Sequence, residues 1–196
     1  MRRTILTIIL LGIIPFGCHQ VDGYFKINNL TCEIYKDDEL SIILLPIDTI
    51  SNDQLFFKIN MTYDFISYNN SRQPLVLWTP LYAFSKGRPG NDGLKDKLKE
   101  IKITSSNNFN GQNAGIDLKE LFKWHDVQWD GHQKSIDSLV IALNESAFFL
   151  DGNSYFLKLI LKERPTDNLQ HIFNFDFTYE NGTHQLVSST VINWKI

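Results

Sequence analysis

No stretch of the 196 residues carries a recognisable catalytic signature. A Gly-x-Ser-x-Gly elbow is missing, as are a phosphate-cradling Gly-x-x-x-x-Gly-Lys-Ser/Thr loop and a His-Glu-x-x-His pair, which removes the best-marked hydrolase, nucleotide-binding and zinc-helix chemistries. Gly87, Gly90 and Gly93 only punctuate a loop. Positive charge is in short supply, with 19 Lys and Arg against 22 Asp and Glu, and a nucleic-acid binder needs the reverse to displace counterions from phosphates. Nowhere do roughly 20 apolar residues follow one another, the length a helix needs to span a bilayer. Cysteine is scarce: Cys18 and Cys32 are the only two. What remains is a chain with 43% hydrophobic and 13% aromatic residues, enough for a real core and of a size that fits one domain.

The amino end has three parts. Met1, Arg2 and Arg3 open it, Thr4 to Ile14 is uncharged and mostly apolar, and Pro15-Phe16-Gly17-Cys18 precedes a polar turn at His19. The apolar run has the length of a signal-peptide core. Its ending resembles the lipobox of bacterial lipoproteins, in which the Cys sulfur is joined to diacylglycerol before the chain is cut ahead of it. Gly17 and Cys18 match the two most restrictive places of that pattern; Pro15 and Phe16 stand where Leu and a small residue are usual. Residues 1–17 are therefore expected to be a signal, Cys18 the lipidated residue, 18–23 a tether and 24–196 a single domain. Without residues 1–17 the net charge falls from -3 to about -5, as Arg2 and Arg3 are lost. Acyl chains contribute about 0.8 kcal/mol per buried methylene, so several on one Cys hold a domain at a membrane without a spanning helix. Cys32, in "NLTCEIY", is then left without an intramolecular partner and reads as a small apolar residue on a strand's inner face.

The remainder reads mainly as strands. Leu55, Phe57, Ile59, Met61, Tyr63 and Phe65 alternate with a mixed set of residues, the pattern of a half-buried strand. Tyr24 to Tyr35, Leu40 to Leu45, Pro74 to Phe84, Glu100 to Ser106 and Ser154 to Lys162 are expected to be strands as well. Phe173, Phe175, Phe177 and Tyr179 share one face before Asn181-Gly182, which predicts a hairpin with a type I′ turn and a second strand through Val191. Helix is a minor theme. Asp117 with Glu120 has capping-box spacing and predicts a short helix over "IDLKELFKW"; Ile136, Leu139, Val140 and Leu143 predict another, with a strand as the alternative. The fold class expected is mainly β, a single antiparallel β-sandwich with one or two short helices between the middle strands.

The densest polar-aromatic cluster is "WHDVQWDGH", which holds Trp124, His125, Asp126, Gln128, Trp129, Asp130 and His132. Imidazole and carboxylate suit zinc, but a seven-residue interval between the two His matches no common ligand pattern, and no metal or other cofactor is expected. A glycan platform suits the cluster better: Trp124 and Trp129 would offer ring faces to a pyranose, and the Asp and Gln side chains would bond its hydroxyls. The bland alternative has both rings capping the core, with Asp130-Gly131 in a turn.

The signal ending in Cys18, the polar-aromatic first strand, "EIKITSSNNFN" leading into "GIDLKELF", and "YFLKLILKERP" before a Phe-rich hairpin together resemble cell-envelope lipoproteins of the Bacteroidota whose function is unassigned. The resemblance covers nearly the whole chain after the signal. It implies an immunoglobulin-like sandwich, lipid-anchored at the outer membrane. Only Asp22 follows Cys18 closely where surface-displayed members often carry several acidic residues, so a periplasmic or surface-facing position stays open. The function expected is non-catalytic: a binding or interaction module whose partners are the membrane, through its lipid, and a glycan or an envelope protein. A structural accessory subunit, using an edge strand at Leu75 to Leu81, is the alternative within that class.

Overall fold

The computed structural model describes residues 23–37, 39–51, 54–66, 90–125, 132–145 and 154–195. Among them the chain is mainly β, with eleven strands in three sheets and one α-helix. The largest sheet has the order β1 (Tyr24–Tyr35), β3 (Leu55–Ile66), β7 (Ser154–Leu161), β5 (Phe122–His125) and β6 (Gln133–Ser135), all antiparallel. A second joins β10 (His184–Ser188), β9 (Phe173–Tyr179) and β4 (Leu98–Ser105). A small third holds β2 (Thr49–Ile50), β11 (Ile192–Trp194) and β8 (Gln170–His171), where β2 and β11 pair in parallel and β11 and β8 antiparallel.

Alternation builds these strands. In β9 each of Phe173, Phe175, Phe177 and Tyr179 is buried and each residue between them half-buried. The first two meet Phe57 of β3 at ring-centroid distances of 5.5 and 5.4 Å, edge to face, an arrangement that contributes about 0.5–1.5 kcal/mol per pair beyond area burial. Phe122 of β5 joins them at 5.7 Å from Phe57. Thus the aromatic faces of the two larger sheets pack directly on each other. The opposite face of the large sheet is not bare either, since Tyr35, Phe56 and Ile160 form a second buried cluster there.

In β1 the alternation changes phase. Phe25 and Ile27 point inward before Asn28, whereas Leu30, Cys32 and Ile34 pack on the core after it. The pairing explains why: Ile27 lies opposite Tyr63 and Asn29 opposite Thr62, so Asn28 is an extra residue in a β-bulge.

Several expectations are corrected. "IDLKELFKW" is not an α-helix: only Lys119–Leu121 form a 3-10 turn, and Phe122–His125 continue as β5. The Asp117 carboxylate accepts from Lys119 N, but also from Ile103 N on β4 at 3.0 Å, and Phe122 and Trp124 are both drawn into the core by pairing with β7. The later helix forms as its apolar spacing predicted, α1 (Ile136–Glu145), with Ile136, Leu139, Val140 and Leu143 buried, and it is the one that is capped, the Ser135 hydroxyl accepting from Ser138 N at 3.3 Å. Leu40 to Leu45 is a hydrogen-bonded loop with a single bridge, Tyr35 to Ile43, instead of a strand. The β9–β10 turn has three residues, not two. Gly182 N donates to Tyr179 O, Tyr179 N donates to Thr183 O, and among residues 180–182 only Gly182 has a positive φ, +82°, which is a type I turn closed by a glycine bulge. The second strand stops at Ser188, and Ile192–Trp194 cross to the third sheet. Leu75 to Leu81 and residues 1–22 lie outside the described residues.

Candidate functional site

Of the cluster singled out in the sequence, Trp124 is described and is a core residue, 3% exposed. Its indole N–H donates to Ser138 Oγ at 2.9 Å, and the Lys134 ammonium sits 5.7 Å from its ring centroid. The expectation that Trp124 offers a ring face to a sugar is thereby corrected, because strand pairing with β7 turns it inward. His125 is half-buried opposite Lys158 and Gln133, with a buried Nδ1 that has no hydrogen bond. His132 is exposed just before β6. Asp126, Gln128, Trp129 and Asp130 fall outside the described residues, as does Cys18. Cys32 is half-buried against the core, and burial, reinforced by Glu33, pushes its thiol up to about 12.

One pair has the look of a nucleophile and its base. The Ser105 hydroxyl lies 2.7 Å from His171 Nδ1, while His171 Nε2 lies 2.9 Å from the Asn168 carbonyl. A carbonyl only accepts, so Nε2 carries the proton and the serine donates to Nδ1. Yet His171 has no exposed surface and is enclosed by Phe109, Phe173 and Trp194. The pair is a buried polar tie between β4 and β8.

Two surface features have more scope. The first is a loop, residues 36–37 and 39–48, that is built around two carboxylates. Asp37 accepts from Ser41 N, Ser41 Oγ and Ile42 N, and Asp48 accepts from Leu45 N and pairs with Lys36 at 2.9 Å. These bonds hold both carboxyls below their ordinary range and leave Leu40 at φ +55°. The product is an ordered surface on which Ile42, Ile43, Leu45 and Ile47 are all at least half exposed, Ile47 to 87%.

The second is a cavity of about 290 Å³ where the start of β1 meets the β9–β10 hairpin. Its floor is a side-chain relay between the two larger sheets: Tyr179 donates to Gln185 Oε1 at 2.6 Å, and Gln185 Nε2 donates to the Ile27 carbonyl, next to the bulge, at 3.2 Å. Lys26, Asp96, Asn181 and His184 also line it. Burial, with Asp96 adding to it, pushes the Tyr179 phenol up to about 12, so it stays a donor at neutral pH. The turn is moored to the same wall by Glu180 N donating to Lys97 O. These residues are separated by up to about 160 positions, and the sequence signal near them was the Asn181-Gly182 turn.

Comparison of the chain with protein-family models, with curated protein sequences and with solved structures finds no match.

Proposed function

We propose that the protein is a non-catalytic binding or interaction module of a bacterial cell envelope, moored to the outer membrane by lipid on Cys18. The aromatic contact between the two larger sheets supports reading the fold as an antiparallel β-sandwich of immunoglobulin-like kind. The observation that carries the functional reading is the aliphatic loop. β1 has 12 residues and spans roughly 40 Å at about 3.3 Å per residue, so Tyr24, next to the tether, and the loop after Tyr35 stand at opposite ends of the same strand. A domain held by its amino end would therefore carry Ile42, Ile43, Leu45 and Ile47 away from the lipid. Four exposed aliphatics on a rigid frame favour contact with another protein, which suits a structural accessory subunit of an envelope assembly.

The two halves are tested separately. Metabolic labelling with a fatty-acid analogue should mark the wild type and leave Cys18→Ala unmarked; an unmodified Cys18 thiol in the mature protein would refute the anchor. A photo-crosslinking residue at position 47 of the anchored protein should give a discrete adduct in the envelope, with none from position 190. Equal or absent labelling at the two positions would refute the interaction role.

A further inference from the structure

The cavity between β1 and the β9–β10 hairpin has an unusual balance of charge. Lys26 and Asp96 both line it, and neither side chain makes a hydrogen bond or ion pair with another described residue. They do not meet each other. The neighbouring lysine is used quite differently: Lys97 donates to the carbonyls of Asp92 and Asn144 and lies over the Tyr24 ring. Other polar groups at the cavity are already committed in part. Asn181 Oδ1 accepts from Thr183 N and Oγ1, which leaves its amide N–H groups as donors, and His184 Nδ1 is held between Thr178 and Asp176. Asp64 stands across the strand pair from Lys26 but makes no ion pair with it.

The ligand chemistry follows from this set. Lys26 and Asp96 both line this small space without pairing with each other, so a guest carrying both charges gains an opposite charge at each, and a guest with a single charge gains only one. A neutral sugar has little to stack on, since Tyr179 is itself buried. The volume, just below the roughly 300–1,000 Å³ of small-molecule pockets, suits a few heavy atoms. We propose that this cavity binds a small zwitterion, whose anionic group meets Lys26 and the Asn181 amide and whose ammonium group meets Asp96. The same chemistry has two sources, a free amino acid or the phosphoethanolamine headgroup of a lipid. This binding goes beyond the envelope role proposed above and does not depend on Cys18.

Saturation-transfer NMR on the full-length chain in a non-ionic detergent tests it, with L-alanine and O-phosphoethanolamine as probes. At least one should bind. Alaninamide, which lacks the anion, and N-acetyl-L-alanine, which lacks the ammonium, should each bind at least roughly tenfold more weakly than L-alanine if that is the guest. Binding of phosphoethanolamine alone would assign the lipid source; binding of alanine alone, the free one. Lys26→Gln and Asp96→Asn should each weaken binding by a similar factor with unchanged thermal midpoints, and Lys26→Arg and Asp96→Glu should retain it. The proposal is overturned if neither zwitterion binds at millimolar concentration, if D-glucose or a singly charged analogue binds as well, or if both neutral variants bind like the wild type. Repeating the titration on Cys18→Ala separates this outcome from the fate of the lipid anchor.

Discussion

His171 illustrates how one buried ring can make stability depend on pH. Its burial outweighs the Asn168 and Asp167 contributions and holds its pKa below the ordinary value of about 6.5. The unfolded chain then binds more protons than the folded one in this window. Stability is complete above about pH 6.5 and declines as pH falls through the lowered folded value. Urea unfolding should show a falling midpoint from pH 7.5 to 5.5 in the wild type, and a flatter one in His171→Gln. A parallel fall in both would mean that His171 carries none of it. Cys32 gives a second test at this scale. With its thiol at about 12, it should resist iodoacetamide at pH 8 in the native protein and react fully in denaturant, as read by mass spectrometry of the β1 peptide.

At the scale of elements, the end of α1 is fastened to β4 by one side chain. Asn144 accepts from Leu98 N at 2.8 Å and donates to Leu98 O at 2.7 Å, standing in for a neighbouring strand. Beside it, Gly93 has φ +78°, and a Cβ there would lie 2.1 Å from the Asn144 carbonyl oxygen. Asn144→Ala should cost about 1–3 kcal/mol, and Gly93→Ala about 1–3 kcal/mol from its backbone alone with the collision added. Thermal unfolding of both variants checks this, and a Gly93→Ala protein as stable as wild type would contradict the geometry. Such fastenings bear on what could be read beforehand. β3 and β9 were legible because alternating burial writes itself into neighbouring residues, and β7, buried without a break from Leu157 to Leu161, was legible as a short apolar run. β5 was not, since Leu118, Leu121 and Phe122 fit a helix locally and only pairing with β7 decides otherwise. The segment Leu40 to Leu45 carries no alternation, and its form follows from carboxylates at Asp37 and Asp48 that compete for its backbone N–H groups. Trp124 was visible as an aromatic, and its place in the core was the alternative weighed against a glycan platform. The cavity was invisible because its walls come from β1, residues 94–96 and the hairpin, which only the tertiary fold unites.

Across the whole molecule these groups combine into one profile. Glu33, Asp37, Asp48 and Asp167 are held below the usual carboxylate range, chiefly by hydrogen bonds, so they add a second acid limb below that of His171, a shallow one because none of the four is buried. Cys32 and Tyr179 are both raised to about 12, and their contribution, present below the unfolded values of about 8.5 and 10, is lost as pH rises through 12. A stability plateau between about pH 6.5 and 8.5 is expected, measurable as the urea midpoint against pH; a maximum outside that interval would contradict these assignments. The surplus residue in β1 has a consequence of a different kind. Excising Asn28 would leave Ile27 beside Asn29 in an unbroken ladder, with every inward side chain still inward, so the β1–β3 pairing is expected to survive the loss of that residue. The straightened edge would no longer aim the Ile27 carbonyl at Gln185, and a three-nucleotide deletion would thus divorce recognition from architecture.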